Sequence, residues 1–312
     1  MTQPDYRTLI DAEMWAYIER LDNSYPPDAV SLSIADQRAH YDAMCNVFRA
    51  PRPAGVRTSD RDFGGVACRV YTAGGSDVTV VYYHGGGFVV GGLDSHDDVC
   101  AEIAARTGFD VIAVDYGLAP EVVFPGCFSD AWSAFSAIAE ERQGDLLLAG
   151  DSAGGNLAAA VAHHSRGRVE GRVIGQVLIY PGLGGDTTHG SYVEHANAPH
   201  LTKADLDFYR TVRTGGAEPP AGDPRYAPLA DSDFSGLPPT VIVTAACDPL
   251  ASDGESYRDA LRGAGGKAVW FDEPGLVHAC LRARNMSSRA AAFFDRVVNG
   301  VAALGAREWP YP

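Results

Sequence analysis

The chain has 312 residues, of which 46% are hydrophobic, and its formal net charge at pH 7 is -15. This length and composition predict one large α/β domain that carries an insertion or a cap, rather than two domains of equal size. The acidic charge has no compensating basic run, which argues against nucleic acid or an anionic membrane as a partner.

Two further observations narrow the class of protein. The sequence lacks the roughly 18 uninterrupted apolar residues of a membrane helix and the basic and apolar regions of a signal peptide, so we expect a cytoplasmic protein with no membrane partner. The six cysteines form no CxxC pair, and neither a disulfide framework nor a zinc site is indicated.

The first 50 residues precede any predicted strand and contain amphipathic helical patterns. The apolar residues that recur at helical spacing are Ile10, Met14, Tyr17, Ile18 and Leu21, followed by Ile34, Tyr41, Met44 and Phe48. Because these helices lie outside the strand pattern of the remaining chain, we predict that residues 1–50 form the N-terminal part of a helical cap.

From about residue 66 onward, short apolar runs rich in β-branched residues alternate with helical segments. The predicted strands lie at 78–83, 111–115, 146–149, 173–180, 240–244 and 268–271. Continuous apolar strands of this kind are typical of a parallel sheet that helices cover on both faces. Two capping pairs, Ser95 with Asp98 and Ser252 with Glu255, predict where two of the helices begin.

Residues 184–236 interrupt this alternation with a polar excursion marked by Gly and Pro. Ligands bind at the carboxyl ends of the strands in open α/β sheets, so helices inserted there are candidates for a lid. We therefore expect the main α/β domain to span residues 51–312, with 184–236 as an excursion that contributes to the cap.

The segment Gly150-Asp151-Ser152-Ala153-Gly154 lies between a predicted strand and a predicted helix. The G-x-S-x-G pattern occurs by chance in a chain with 35 glycines, but the strand before it and the helix after it are the context of a nucleophile elbow. Such a turn exposes the serine hydroxyl, while small flanking residues let the strand and helix approach each other. The context therefore predicts that Ser152 is a nucleophile.

A serine nucleophile needs a base and an acidic group that orients the base. In the chain order Ser, Asp or Glu, His, only His278 of the nine histidines follows the last predicted strand, so it is the predicted base. Asp248 follows the strand at 240–244 and is the predicted acid, with Asp253 and Asp272 as alternatives. A carboxylate at a strand end is placed to reach the distal imidazole nitrogen.

A glycine-rich loop, His84-Gly85-Gly86-Gly87-Phe88, follows the strand at 78–83 and is the expected source of oxyanion donors. We expect His84 to brace this loop through a hydrogen bond. No Gly-Lys-Ser/Thr and no G-x-G-x-x-G spacing accompanies the loop, which argues against nucleotide binding. The nearby acids at 94, 97 and 98 are ordinary groups for a helix start, so we expect no metal.

Taken together, these motifs resemble the hormone-sensitive-lipase-like family of bacterial esterases, also called family IV, within the α/β-hydrolase fold. The matching residues follow the family order, and they are His84-Gly85-Gly86-Gly87, Gly150-Asp151-Ser152-Ala153-Gly154-Gly155, Asp248-Pro249-Leu250 and His278. The likeness extends from about residue 30 to the last helix. It implies a mostly parallel eight-stranded sheet with helices on both faces and a helical cap.

The resemblance also implies a chemistry. It implies a serine carboxylesterase that hydrolyses short-chain acyl esters through an acyl-enzyme, with Ser152 as nucleophile, His278 as base and Asp248 as orienting acid. The oxyanion hole that it implies consists of three backbone N–H groups, those of Gly86, Gly87 and Ala153. Family members need no cofactor, act on small-molecule esters and often form homodimers.

The chain departs from the family pattern at two places. Gly117 stands where the family has the arginine of Tyr-Arg-Leu-Ala-Pro-Glu, which puts local rigidity and the packing of the cap in doubt. Ala279-Cys280 replaces the common Gly-Phe after His278 and is expected to reshape that loop.

Two other functions stay open at this point. A capped pocket on the same fold can bind a ligand without cleaving it, although such receptors typically lose a member of the triad, and here all three candidates are present. An amidase or a lactonase would use the same triad, because the sequence does not distinguish an ester from an amide or a lactone.

Overall fold

The computed structural model describes residues 4–26, 29–169 and 171–312. Its strands, in chain order, are β1 (Arg57–Phe63), β2 (Val66–Thr72), β3 (Thr79–Tyr83), β4 (Asp110–Val114), β5 (Leu146–Asp151), β6 (Val173–Ile179), β7 (Thr240–Cys247) and β8 (Ala268–Val277). They form one sheet in the order β1-β2-β4-β3-β5-β6-β7-β8. β3 to β8 run parallel to one another, whereas β2 pairs antiparallel with both β1 and β4. The mostly parallel eight-stranded sheet is thus confirmed.

The helices flank the sheet on both faces. In chain order they are α1 (Tyr6–Leu9), α2 (Ala12–Asp22), α3 (Ile34–Phe48), α4 (Asp97–Thr107), α5 (Gly126–Glu141), α6 (Ala153–Ser165), α7 (Ser191–Glu194), α8 (Lys203–Thr214), α9 (Ala251–Gly263) and α10 (Ser288–Gly305). None of them, over the described residues, is long and apolar enough to span a bilayer.

Alternation along the central strands divides the core into two layers. Val80 and Tyr82 of β3 point to the face that α4 and α10 cover, where the apolar side chains of α2 and α3 join the same cluster. Val81 and Tyr83 point to the opposite face, which α5, α6 and α9 cover. Each central strand is therefore buried on both sides, as its continuous apolar sequence predicts.

Both predicted helix starts are wrong by one or two residues, because the serine hydroxyls make other contacts. The helix α4 begins at Asp97 without a side-chain cap, and the Ser95 hydroxyl donates to the Gly92 carbonyl at 2.8 Å. The helix α9 begins at Ala251, and the Ser252 hydroxyl accepts the backbone N–H of Ser191 at 2.8 Å. Tertiary contacts have replaced the local capping pattern.

Candidate active site

The nucleophile elbow joins β5 directly to α6. Ser152 lies at the corner with φ 54° and ψ -116°, a conformation that costs free energy and persists only where the surroundings fix it. Its backbone N–H donates to the Ile179 carbonyl at 2.9 Å, which ties the turn to β6. A Cβ atom at Gly154 would collide with the backbone of Tyr83, so the strand and helix approach each other only with glycine there. The predicted strand-turn-helix context is confirmed.

Two further strand ends bring an imidazole and a carboxylate to this corner. β8 ends immediately before His278, whose Nε2 lies 2.8 Å from the Ser152 Oγ. β7 ends immediately before Asp248, whose Oδ2 lies 2.6 Å from the His278 Nδ1. The other oxygen of the fully buried Asp248 accepts the backbone N–H of Leu250 at 2.9 Å, which fixes the carboxylate plane. The structure therefore brings together the three residues predicted as a triad.

The two alternative acids have other partners. Asp253 accepts the backbone N–H groups of Leu183 at 2.6 Å and Gly184 at 3.1 Å and the hydroxyl of Tyr192 at 3.0 Å. Burial raises the pKa of Asp253 to about 6. Asp272 accepts the hydroxyl of Thr244 at 2.8 Å, and burial raises its pKa as well. Of the three candidate acids, only Asp248 bonds to His278.

The glycine-rich loop faces the same corner from β3. Gly86 and Gly87, together with Ala153, line the cavity into which Ser152 opens. Gly86 has φ 126°, a conformation that favours glycine, and a Cβ atom there would collide with the Val90 carbonyl. As the first residue of α6, Ala153 has a backbone N–H without a partner inside the helix. The three predicted oxyanion donors therefore border one space.

Asp151 connects this loop to the elbow, a role that the motif did not reveal. Its buried carboxylate accepts the hydroxyl of Tyr82 at 2.8 Å and the backbone N–H of Gly85 at 2.9 Å, and it lies 3.2 Å from the His96 Nε2. Burial alone would raise the pKa of Asp151, but the His96 imidazole and the hydrogen bonds hold it well below its usual range. The sequence signal for this role was the presence of an acidic residue, Asp151, directly before Ser152 in a turn that is otherwise apolar or small.

His84 braces the loop, as expected. Its Nδ1 lies 2.8 Å from the carbonyl oxygen of Gly85, and its ring stacks on Tyr116 with 4.4 Å between centroids. Burial lowers the pKa of His84 to about 4, so the ring is neutral at pH 7 and its Nδ1–H can donate to that carbonyl.

The acids near the start of α4 form ion pairs. Asp97 lies 2.7 Å from the Arg52 Nε and accepts the hydroxyl of Tyr71 at 3.0 Å. Asp98 lies 2.5 Å from the Arg284 Nη2. Both carboxylates therefore have an arginine partner.

The loop that carries Gly117 is bound by an arginine of the N-terminal helices. Arg38 of α3 binds both carboxylate oxygens of Glu121, at 2.7 and 2.9 Å, and donates to the carbonyls of Val89 and Ala119. A Cβ atom at Gly117 would lie 2.7 Å from an oxygen of the Asp130 carboxylate. Arg38 therefore connects this loop to α3.

A cavity of about 410 Å³ lies above the triad. Ser152 and His278 form part of its wall. Leu21 and Tyr41 from the N-terminal helices and Tyr209 from α8 line it on other sides. The reacting serine thus opens into a space bounded by both regions that interrupt the strand pattern.

Comparison with known proteins agrees with this geometry. A family model described as the alpha/beta hydrolase fold matches residues 80–282. The carboxylic ester hydrolase LipN of Mycobacterium tuberculosis is 34% identical over 292 residues, which cover 88% of this chain and 77% of LipN. The acetyl esterase of Salmonella typhi is 31% identical over 296 residues, 91% of each chain. 

A solved structure extends the likeness over nearly the whole fold. The hyperthermophilic esterase of the archaeon Pyrobaculum calidifontis superimposes with a TM-score of 0.83 at 28% identity, covering 95% of this chain and 99% of that one. The chain therefore belongs to the α/β-hydrolase family and is a carboxylesterase of the hormone-sensitive-lipase-like type.

Proposed function

We propose that this carboxylesterase cleaves short-chain acyl esters with Ser152 as nucleophile, His278 as general base and Asp248 as the acid that orients it. The observation that carries the proposal is the continuous hydrogen-bonded line from Ser152 to His278 to Asp248, with distances of 2.8 and 2.6 Å. His278 takes the hydroxyl proton as the serine oxygen attacks the ester carbonyl, and Asp248 stabilises the imidazolium that forms.

The negative oxygen of the tetrahedral intermediate would be held by the N–H groups of Gly86, Gly87 and Ala153. Collapse of this intermediate breaks the bond to the alcohol, which takes the proton from His278 and leaves an acyl group on Ser152. Water then attacks the acyl-enzyme with His278 again as base, which releases the carboxylic acid and restores the serine. Preorganised donors of this kind contribute about 10²- to 10³-fold each to turnover.

The cap and the size of the cavity support a small substrate. We infer that residues 1–50 and 184–236 together form the cap over a catalytic domain at 51–312. The support is that Leu21 and Tyr209, one from each segment, border the same cavity as Ser152. Its volume of about 410 Å³ suits a small ester.

Substitution of the nucleophile tests the assignment. Ser152→Ala should lower kcat on p-nitrophenyl butyrate by about 10⁶-fold and abolish labelling by a fluorophosphonate probe. An unchanged thermal midpoint would show that the fold is intact. Retained hydrolysis in this variant would contradict the role of Ser152, and a wild-type protein that the probe does not label would favour a ligand-binding protein.

The substrate length is tested separately. In a series of p-nitrophenyl esters from acetate to palmitate, kcat/KM should be highest for the short acyl chains. A maximum at palmitate would contradict the proposal, because it would indicate a lipase. Parallel assays on p-nitroanilides and lactones would show whether amides or lactones are preferred.

A further inference from the structure

Arg213 places a buried positive charge beside the catalytic cavity. This residue of the last turn of α8 is only 5% exposed and borders the same cavity as Ser152. Its guanidinium carbon lies 3.7 Å from the ring centre of Phe88 and 4.2 Å from that of Tyr226. Nη1 donates to the Tyr226 carbonyl at 3.1 Å, and Nη2 donates to the Asn156 Oδ1 at 3.2 Å. The Nε–H bonds to no described residue.

The charge of Arg213 lacks an acidic partner. No carboxylate of the described residues lies within ion-pair distance of it, and the thiol of Cys127 beside it is neutral because burial raises the pKa of that thiol. Asp223 feels the charge only at longer range and pairs with Arg225 at 2.8 Å. Burial lowers the pKa of Arg213, yet an arginine keeps its proton in proteins. A buried cation of this kind is costly unless an anion joins it, and the aromatic faces offset only part of the cost.

The position of Arg213 indicates that it faces the acyl part of the substrate rather than the alcohol part. Phe88 directly follows Gly87 of the oxyanion loop, and Asn156 lies four residues after Ser152 in α6, a rise of about 6 Å. The alcohol must leave next to His278, because His278 protonates it. Since Arg213 contacts the oxyanion-loop side and α6, it faces the part of the substrate that stays attached to Ser152.

We propose that Arg213 forms a carboxylate-binding subsite for the acyl chain, so that half-esters of short dicarboxylic acids are preferred substrates. Arg213 contacts α6 about one helical turn beyond Ser152, at Asn156, and this rise of about 6 Å has the scale of a succinate or glutarate chain. The free acid end of such a chain supplies the missing negative charge, while the ester end reaches Ser152. The inference rests on the proposed function, because it deepens the substrate class of the same site.

The test compares two substrates of matched shape. Monoethyl succinate carries a carboxylate where ethyl 4-methylpentanoate carries an isopropyl group. The wild-type enzyme should prefer the half-ester, and Arg213→Gln should lower kcat/KM for it by roughly 10- to 100-fold, mainly through KM, as for a lost charge-assisted hydrogen bond. The neutral ester should change little, and Arg213→Lys should retain part of the preference.

Arg61→Gln is the control, because Arg61 lies outside the lining of the cavity, is exposed, and pairs with Glu141 at 2.7 Å. It should leave the ratio between the two substrates unchanged. Equal losses on both substrates in Arg213→Gln, or a wild-type enzyme that prefers the neutral ester, would overturn the inference but leave the esterase assignment intact. A wild-type enzyme that hydrolyses neither ester and resists the fluorophosphonate probe would instead contradict the proposed function.

Inhibition of the wild-type enzyme tests the subsite without a variant, and so it applies even if the Arg213 variants do not fold. Succinamate has one carboxylate, and succinamide replaces that carboxylate with a neutral amide. In neutral-ester hydrolysis, the inhibition constant of succinamate should be at least about tenfold lower than that of succinamide. This difference corresponds to one charge-assisted contact. Equal constants would overturn the proposal.

Discussion

At the scale of single residues, the hydrogen bond from His278 to Asp248 fixes which imidazole nitrogen carries the proton. Asp248→Asn keeps the shape of the side chain but offers the His278 Nδ1 an amide in place of a carboxylate, which favours the wrong tautomer. We expect kcat to fall by about 10⁴-fold, measured by steady-state hydrolysis of p-nitrophenyl butyrate, with a thermal midpoint close to that of the wild type.

The neighbouring acids provide the control for this prediction. Asp253→Asn and Asp272→Asn remove carboxylates that bond to Tyr192 and Thr244 rather than to His278. Each should lower kcat by less than about tenfold, because neither carboxylate stabilises the imidazolium. A loss in either variant equal to that of Asp248→Asn would show that the acid is assigned wrongly.

His84 makes the stability of the fold depend on pH. Its pKa is about 4 in the folded protein, whereas a histidine in an unfolded chain titrates near ~6.5. Between these values the unfolded chain binds a proton that the folded chain does not, so stability is lost as pH falls from about 6.5 towards 4. The contribution that is lost between pH 7 and pH 4.5 is roughly 2 kcal/mol.

Urea denaturation at pH 7 and at pH 4.5 measures this effect. His84→Asn keeps an N–H donor near the Gly85 carbonyl but has no group that titrates in this range. The loss of unfolding free energy between the two pH values should therefore be smaller in His84→Asn than in the wild type. Equal losses in the two proteins would contradict a buried neutral His84.

At the scale of elements, the contact between α6 and β3 depends on the absence of a side chain at Gly154. Gly154→Ala would force a methyl group against the backbone carbonyl of Tyr83, which cannot move without disturbing the sheet. We expect a loss of roughly 3 kcal/mol of unfolding free energy, measured by urea denaturation. 

Gly263→Ala is the control, since the space around Gly263 at the end of α9 is open. That variant should be unchanged or up to about 1 kcal/mol more stable, because alanine favours the helix. If Gly154→Ala were as stable as the wild type, the close approach of α6 and β3 would not be required.

The sequence predicted the helices and strands that have a local apolar pattern. It missed the features that depend on the position in the sheet or on tertiary contacts. The central strands and the elbow were recognisable because burial on both faces demands continuous apolar runs. β1 was not, because its residues from Arg57 to Asp62 are polar and largely exposed at the edge of the sheet. The two capping pairs were wrong because Ser95 and Ser252 bond to other parts of the chain, which no local pattern records.

At the scale of the whole molecule, the two proposed cap segments hold each other across the chain. The Tyr6 hydroxyl lies 3.1 Å from the Nδ1 of His195, which connects the first helix to the excursion after β6. Tyr6→Phe should cost about 1 kcal/mol and speed amide hydrogen exchange over residues 5–22, measured by mass spectrometry. Tyr311→Phe, a change near the other terminus, should leave exchange there unchanged. Exchange that is equal in Tyr6→Phe and wild type would show that this bond does not hold α1.

The arrangement of the whole fold determines which active-site residues could be predicted from the sequence. Chain order and strand ends were enough to nominate Ser152, Asp248 and His278, because the fold places successive strand ends at one edge of the sheet. Arg213 and Arg38 could not be found this way, since both lie in segments without a motif. Arg213 reaches the cavity, and Arg38 reaches Glu121, only through tertiary packing. A homodimer and a cytoplasmic location stay predictions.

Asp151 has a consequence for how this enzyme can change its substrate. Because Asp151 precedes Ser152 and accepts the Gly85 N–H, the proposed nucleophile and the proposed oxyanion loop belong to one hydrogen-bonded piece. Helix α8 and the N-terminal helices contribute no atom to that piece. Substitutions in these helices can therefore diversify the acyl preference, in natural divergence or in a mutant library, while the distance that sets the chemical step stays constant.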